Sequence, residues 1–271
     1  MYNLLKGKRG IITGALDQNS IAWKVAQRAY AEGATFTLTN APVAMRMGAI
    51  NDLAAACNTI VIPADATSIE DLENLYKKSE EHLGGKLDFV LHSIGMSPNV
   101  RKKKDYGDLN YEWFLKTLDI SALSFHKMMQ VGEKLDVFAD GGSIVALTYI
   151  AAQKVFPDYG DMAQAKAVLE SIARSYGYRL GKAKGIRVNT ISQSPTPTTA
   201  GTGVGGFDVF MDYADKMSPL GNATAEDCAN YVITLFSDLT KKVTMQNLYH
   251  DGGFSSSGIT DAIIEQFTQS K

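Results

Sequence analysis

The sequence predicts an α/β fold: a single doubly wound parallel sheet of about seven strands, with helices on both faces, in one domain over residues 1–271. Three observations carry this. Short apolar runs closed by glycine, proline or polar residues alternate with helix-length amphipathic stretches along the chain. No linker-like segment divides that alternation. The 271 residues, 45% hydrophobic and 21% charged, supply the apolar mass for one sizeable core.

Composition also narrows the function classes. A net charge of −2 gives no reason to expect nucleic acid or an anionic membrane as partner. No apolar run approaches the length of a membrane span, and the N-terminus carries no secretory apolar core. Cys57 and Cys228 lie in helix-like segments without a pairing pattern, which fits reduced thiols in a cytoplasmic protein. The four histidines (82, 92, 126 and 250) lack ligand spacing, so no metal is expected.

The first strand is Gly10-Ile11-Ile12-Thr13, closed by Gly14. After the turn 15–19, Ser20 is expected to cap a helix that begins Ile21-Ala22-Trp23 and ends at Glu32-Gly33. Strand, glycine turn and helix N-terminus together make a phosphate-binding device, since free N–H groups and the positive dipole end face an anion. The full G-x-G-x-x-G pattern is absent, and alone this signal is weak. Thr35–Thr39 is the second strand. Asn40-Ala41-Pro42 follows it, with neither the acid that holds a ribose 2′-hydroxyl nor a nearby cation for a 2′-phosphate. Arg46 is the nearest cation, in a helix expected over Ala44–Ala56. The third strand is Thr59–Ile62. Asp65 lies just beyond it and suits either an adenine amino group or a helix cap. A helix over Ile69–His82 leads to the fourth strand, Leu87–His92, and to the sharp turn Ser93-Ile94-Gly95.

Arg101-Lys102-Lys103-Lys104 reads first as a solvated basic loop, and second as a landing site for an acidic carrier. A long amphipathic helix is expected over Tyr111–Lys134. The fifth strand, Ser143–Leu147, opens into the stretch that organises the chain, Tyr149 to Lys166. Tyr159 is expected to open the next helix, and Lys166 lies seven residues on, about two turns. Both side chains then share one face, roughly 10 Å apart along the axis. A tyrosine and a lysine on one face at the C-terminal sheet edge suit a proton donor and its electrostatic partner. The wide spacing suits conjugate reduction, in which negative charge collects on a carbonyl oxygen set back from the carbon that takes hydride. Most tyrosines and lysines are only surface or core-rim residues, so the pair needs its context.

A second pair, Tyr178-x-x-x-Lys182, matches the spacing of ordinary short-chain dehydrogenases. It precedes the sixth strand, Ile186–Ile191, by only a few residues, and Gly181, Lys184 and Gly185 mark a helix C-terminus. That places it at the wrong edge of the sheet for a ligand. Residues 192–206 are rich in Pro, Thr and Gly and follow a strand end, so a lid is expected over about 195–217. A helix over Ala225–Phe236 and a final strand, Met245–Tyr249, complete the chain.

Thr13-Gly14 with Ser20-Ile21-Ala22-Trp23, Asp65-Ala66, His92-Ser93-Ile94-Gly95, Tyr149 with Tyr159 and Lys166, Ile186-Arg187-Val188-Asn189 and Asp251-Gly252-Gly253 together resemble the bacterial enoyl-acyl-carrier-protein reductases, divergent short-chain dehydrogenases of type II fatty acid synthesis. The resemblance runs from about Lys6 to Phe254. It implies a Rossmann-type catalytic domain that reduces enoyl thioesters delivered on acyl carrier protein, and assembly as a homotetramer through the helices around Tyr111–Lys134 and after Tyr159. It implies that Tyr159 meets the thioester oxygen, Lys166 the nicotinamide ribose, and Tyr149 the acyl pocket. Gly14, Ser20 and Ile21 are then pyrophosphate contacts, Asp65 and Ala66 adenine contacts. Ser93, Ile94 and Gly95 line the cofactor, and Thr196 and Thr198 meet the nicotinamide amide and phosphates. Met96, Val204 and Phe207 join Tyr149 and Tyr159 against the substrate. The loop Ser194-Pro195-Thr196-Pro197 departs from the family, which usually has glycine before this proline and Ile or Leu after it. The Asn40-Ala41-Pro42 turn favours NADH over NADPH, because a 2′-phosphate would be buried there unpaired. The competing readings are a ketoreductase using Tyr178 and Lys182, and a nucleotide-binding regulator without chemistry; retention of both Tyr159 and Lys166 counts against the second.

Overall fold

Alternating apolar runs and amphipathic stretches condense into an all-parallel sheet, in a computed structural model that describes residues 2–199, 201 and 206–269. Its strands are β1 (Arg9–Thr13), β2 (Thr35–Thr39), β3 (Leu87–His92), β4 (Phe138–Thr148), β5 (Arg187–Gln193) and β6 (Asn247–His250), in the spatial order β2-β1-β3-β4-β5-β6. The order reverses between β1 and β3, so their C-terminal ends frame the crevice where open α/β sheets take ligands. β1 from Gly10, β4 from Gly142 and all of β5 are buried on both faces; β1 and β4 therefore carry short apolar runs, whereas β5 also buries Arg187, Asn189 and Thr190, each hydrogen-bonded.

Each face of the sheet closes a core. On one side α1 (Ile21–Ala31), α2 (Ala49–Ala56) and α9 (Ala225–Phe236) pack through Trp23, Val25, Leu53, Val232 and Phe236, with Phe89 stacked on Phe236 at 4.6 Å between ring centroids. On the other side lie α3 (Ile69–Leu83), a short α4 (Pro98–Arg101), α5 (Tyr111–Leu118), α6 (Ser124–Lys134) and α7 (Met162–Lys184). Tyr76, Phe125, Met128, Phe138 and Leu169 fill that layer. A third, smaller cluster joins Ile150, Met217, Phe254 and Ile263, held by α8 (Phe207–Met217) and α10 (Asp261–Gln269).

Away from the site, the structure corrects three of the predicted elements. Thr59–Ile62 is not a strand of the sheet: it makes one bridge, Leu38 with Val61, through Leu38 N–H to Ile60 O and Ile62 N–H to Leu38 O. Beyond that bridge the segment keeps only Ala64 N–H to Asn40 O, so the sheet has six strands rather than seven. The helix expected over Ala44–Ala56 breaks at Gly48, whose φ of +75° ends a 3₁₀ turn before α2 starts. The helix over Tyr111–Lys134 is one rod, but Asp119–Leu123 is wound as a π segment between α5 and α6. α8, an amphipathic helix, follows the Pro-, Thr- and Gly-rich stretch 192–206 and forms the C-terminal part of the segment expected as a lid.

Candidate active site

A cavity of about 1140 Å³ opens at the C-terminal ends of β1, β3, β4 and β5. Its lining includes Gly14, Ser20, Ile21, Asp65, Ala66, Ser93, Ile94, Gly95, Met96, Tyr149, Tyr159, Lys166, Thr196, Thr198 and Phe207, so residues far apart in sequence converge on one space. Val204 lies outside the described residues. Tyr178 stands exposed on the C-terminal half of α7, which ends at Gly185 in the left-handed conformation. The Tyr178/Lys182 pair therefore belongs to a helix end and not to the cavity.

One end of the cavity is built for a dinucleotide. Gly14 has φ +84°, and a Cβ there would sit 1.9 Å from the carbonyl oxygen of Ser93. Only glycine lets the β1 turn lie against the β3 turn so closely. Ser20 occupies the N-cap position of α1, but its side chain does not cap the helix as expected; its Oγ donates to Asp17 O at 2.7 Å and accepts from Leu16 N–H. The first N–H groups of α1 are thereby left for an anion. Asp65 does not cap α3 either. Its Oδ1 accepts from the N–H and hydroxyl of Thr67, while Ser68 caps the helix by accepting from Asp71 N–H. Asn40, at the end of β2, spends its side chain on Ala15 O and Ala41 N–H, and no cation sits among the cavity residues 39–44.

The other end carries the chemistry-bearing groups. Tyr159 does not open α7. It ends a 3₁₀ turn, Pro157–Tyr159; Gly160, at φ +46°, then reverses the chain, and α7 starts at Met162. Tyr159 and Lys166 thus share the cavity through this reversal, and not through a common helix face. Lys166 is buried, and its Nζ donates to Leu147 O at 2.8 Å. Burial holds its pKa down, from 10.5 to about 8, against the opposing pull of Glu170 one turn on. Glu170 is itself held by Thr148 Oγ1 at 2.9 Å and by Gln153 Nε2 at 3.2 Å.

Burial pushes the phenols of Tyr159 and Tyr149 well above their ordinary range, so both remain proton donors at neutral pH. Their rings lie 5.2 Å apart. The buried hydroxyl of Tyr149 has no hydrogen-bond partner among the described residues, a state that a polar ligand atom would relieve. His92, under the β3 end, is kept neutral by burial and by the nearby Lys166 charge, which lower its pKa to about 3. Its Nε2 lies 2.8 Å from Ser124 Oγ.

Aromatic rings close the substrate side. Phe156 packs on Tyr149 at 5.4 Å and on Phe210 of α8 at 5.0 Å, and Tyr213 also lines the wall. Phe156, Tyr213, Arg101 and Lys116 are cavity residues that sequence reasoning did not assign. Phe156 offered a signal, being an aromatic three residues before Tyr159. Lys116 offered none, because a lysine on an amphipathic helix normally marks its solvent face.

A model of the family described as "Enoyl-(Acyl carrier protein) reductase" matches residues 14–255. The chain is 35% identical to "Enoyl-[acyl-carrier-protein] reductase [NADH] 2" of Rhizobium meliloti (strain 1021), over 94% of each chain. Among solved structures it resembles the FabI–NADH complex from Alistipes finegoldii, at 66% identity and TM-score 0.96, covering 97% of this chain and 93% of that one. It also resembles the enoyl-[acyl-carrier-protein] reductase (NADH) from Aquifex aeolicus VF5, at 34% identity and TM-score 0.87, covering 94% of this chain and all of that one.

Proposed function

Because the chain belongs to the enoyl-[acyl-carrier-protein] reductase family, we propose that it reduces the trans-2,3 double bond of enoyl thioesters carried on acyl carrier protein, with NADH as hydride donor. The observation that carries this reading is the meeting of Tyr159 and Lys166 in one cavity with the Gly14 turn and the α1 N-terminus.

The residues fit the dinucleotide. Gly14 lets the β1 turn close against the Ser93 turn at the edge of the cavity, and the α1 N-terminus offers N–H groups to the pyrophosphate. Ser20 and Ile21 would flank that position, Asp65 and Ala66 the adenine, and Ser93, Ile94, Gly95, Thr196 and Thr198 the ribose and nicotinamide side, all of them cavity residues. NADH would supply the hydride. Lys166, whose Nζ is fixed by Leu147 O, would donate to the nicotinamide ribose hydroxyls. Tyr159, held protonated by burial, donates a hydrogen bond to the thioester oxygen, where negative charge develops as the β-carbon is reduced. Its deprotonation is costly in this site, so it stabilises the enolate chiefly as a donor. Tyr149 offers a second hydroxyl beside it. Met96, Phe207 and Phe210 exclude water from the acyl chain, with α8 as the ordered part of a lid over about 195–217.

A homotetramer is the expected assembly. Exposed Tyr111 and Leu115 on α5 and Tyr178 on α7 give these helices apolar surface to bury against further copies. The buried free thiols Cys57 and Cys228 fit a cytoplasmic setting; among the described residues, no helix is long and apolar enough to cross a membrane.

Steady-state oxidation of NADH with crotonyl and acetoacetyl thioesters tests the proposal. Butyryl thioester as product, with no turnover of the acetoacetyl compound, is expected. Reduction of the ketone alone would replace the reading with a ketoreductase.

A further inference from the structure

Asp161 is fully buried two residues beyond Tyr159, yet it does not line the cavity and has no part in the roles given above. Its carboxylate collects donors from two other segments. Oδ1 accepts from Ser97 Oγ at 2.6 Å; Oδ2 accepts from Asn99 Nδ2 at 2.8 Å and lies 2.9 Å from Thr117 Oγ1, whose one proton is shared with Trp113 O at 2.8 Å. All three partners are neutral and buried. Ser97 and Asn99 belong to the segment that continues from the cofactor-side turn Ser93–Met96, and Ser97 also caps α4 by accepting from Val100 N–H. Thr117 is in α5, next to the cavity residue Lys116. A buried carboxylate without a cation is expensive and persists only when its lone pairs are filled.

Gly160 is what makes this carboxylate matter to Tyr159. With φ +46° it turns the chain so that the Tyr159 ring enters the cavity while Asp161 points into the protein. A glycine at that point also leaves the turn loose. The Tyr159 N–H holds only Phe156 O within the same short turn. On the helix side Gly160 O accepts from Ala163 N–H, and the Asp161 carboxylate is the nearest side-chain anchor; it ties the turn to the 97–101 segment and α5.

We propose that Asp161 is a positioning residue for Tyr159: its contacts with Ser97, Asn99 and Thr117 fix the acid-bearing turn against the 97–101 segment and α5, so that the Tyr159 hydroxyl sits in register with the substrate oxygen. The proposal rests on the reading of Tyr159 as the hydrogen-bond donor to the thioester. It predicts a kinetic defect confined to steps that use the Tyr159 hydroxyl.

The test is a double-mutant cycle on the full-length protein, with crotonyl thioester and NADH as substrates. Asp161→Asn keeps the shape and removes the charge. It is expected to lower kcat about 10- to 100-fold, the loss typical of a reacting group displaced by about 1 Å, with the KM for NADH within about twofold of wild type. In the Tyr159→Phe background, where the hydroxyl is already gone, the same substitution should change kcat by less than about twofold. Losses that multiply in the double variant would overturn the proposal, as would an unchanged kcat in Asp161→Asn. If Asp161→Asn does not fold, Thr117→Val removes one donor and enters the same cycle, with the same criterion of non-additivity and a smaller single effect. Tyr159→Phe with full activity would remove the underlying reading of Tyr159 instead, and the single variants distinguish that failure from the failure of the clamp.

Discussion

Replacing Lys166 by methionine should raise the stability of the cofactor-free protein while weakening its hold on NADH. Lys166 is buried, and its pKa falls from 10.5 to about 8 because burial penalises the ammonium. At about 1.4 kcal/mol per pH unit, that fall is worth roughly 3 kcal/mol against the folded state at neutral pH. Losing the hydrogen bond to Leu147 O returns about 1 kcal/mol. Methionine of similar length should therefore leave a net gain of about 2 kcal/mol at pH 7, seen as a Tm several degrees higher. The sign changes with pH in a defined way. Below pH 8 the native lysine is charged and the penalty is complete. Between about 8 and 10.5 the native state has lost the proton that the unfolded chain still binds, so wild-type stability rises with pH and the advantage of methionine shrinks. Denaturant melts at pH 7 and 9.5, paired with NADH titration at pH 7, measure both effects. A destabilised variant at pH 7, or an NADH Kd equal to wild type, would refute the reasoning.

Gly14→Ala places a Cβ 1.9 Å from Ser93 O at φ +84°; it should cost more than about 1 kcal/mol of stability and abolish NADH binding, read by thermal melts and titration. Phe210→Ala removes a ring packed on both Tyr149 and Phe156; the KM for an eight-carbon enoyl thioester should rise severalfold, with the KM for NADH unchanged. Reversing the exposed charges of Lys102 and Lys103, which lie outside the cavity lining, to glutamate should lower kcat/KM for the carrier-bound substrate and flatten its salt dependence. Turnover of a small uncharged thioester should be unchanged, and a parallel loss there would show instead that the loop shapes the site.

The apolar runs of β1, β3 and β4 were legible because strands buried on both faces leave an uninterrupted signal, and Gly14 and Gly95 follow the ends of β1 and β3. What escaped the sequence has physical causes. Thr59–Ile62 reads as a strand but meets β2 at a single bridge, and pairing is not visible in one segment of sequence. Gly160 broke the expected helix start before α7, since a positive φ depends on the tertiary demand that the ring enter the cavity. Ser20 was located correctly at the start of α1, but its hydroxyl turned back to Asp17. The Asp161 clamp was invisible for the same kind of reason. Ser97, Asn99 and Thr117 are ordinary polar residues in sequence, and only the fold brings them to one carboxylate.

The central claim is that the Tyr159 hydroxyl stabilises charge on the thioester oxygen of a substrate reduced by NADH. Single-turnover NADH oxidation by Tyr159→Phe, with crotonyl thioester and enzyme in excess, tests it most directly, because product release does not enter. The account predicts a hydride-transfer rate lowered roughly 10²- to 10³-fold, the usual loss for one oxyanion donor, with NADH Kd unchanged. A single-turnover rate equal to wild type would contradict it.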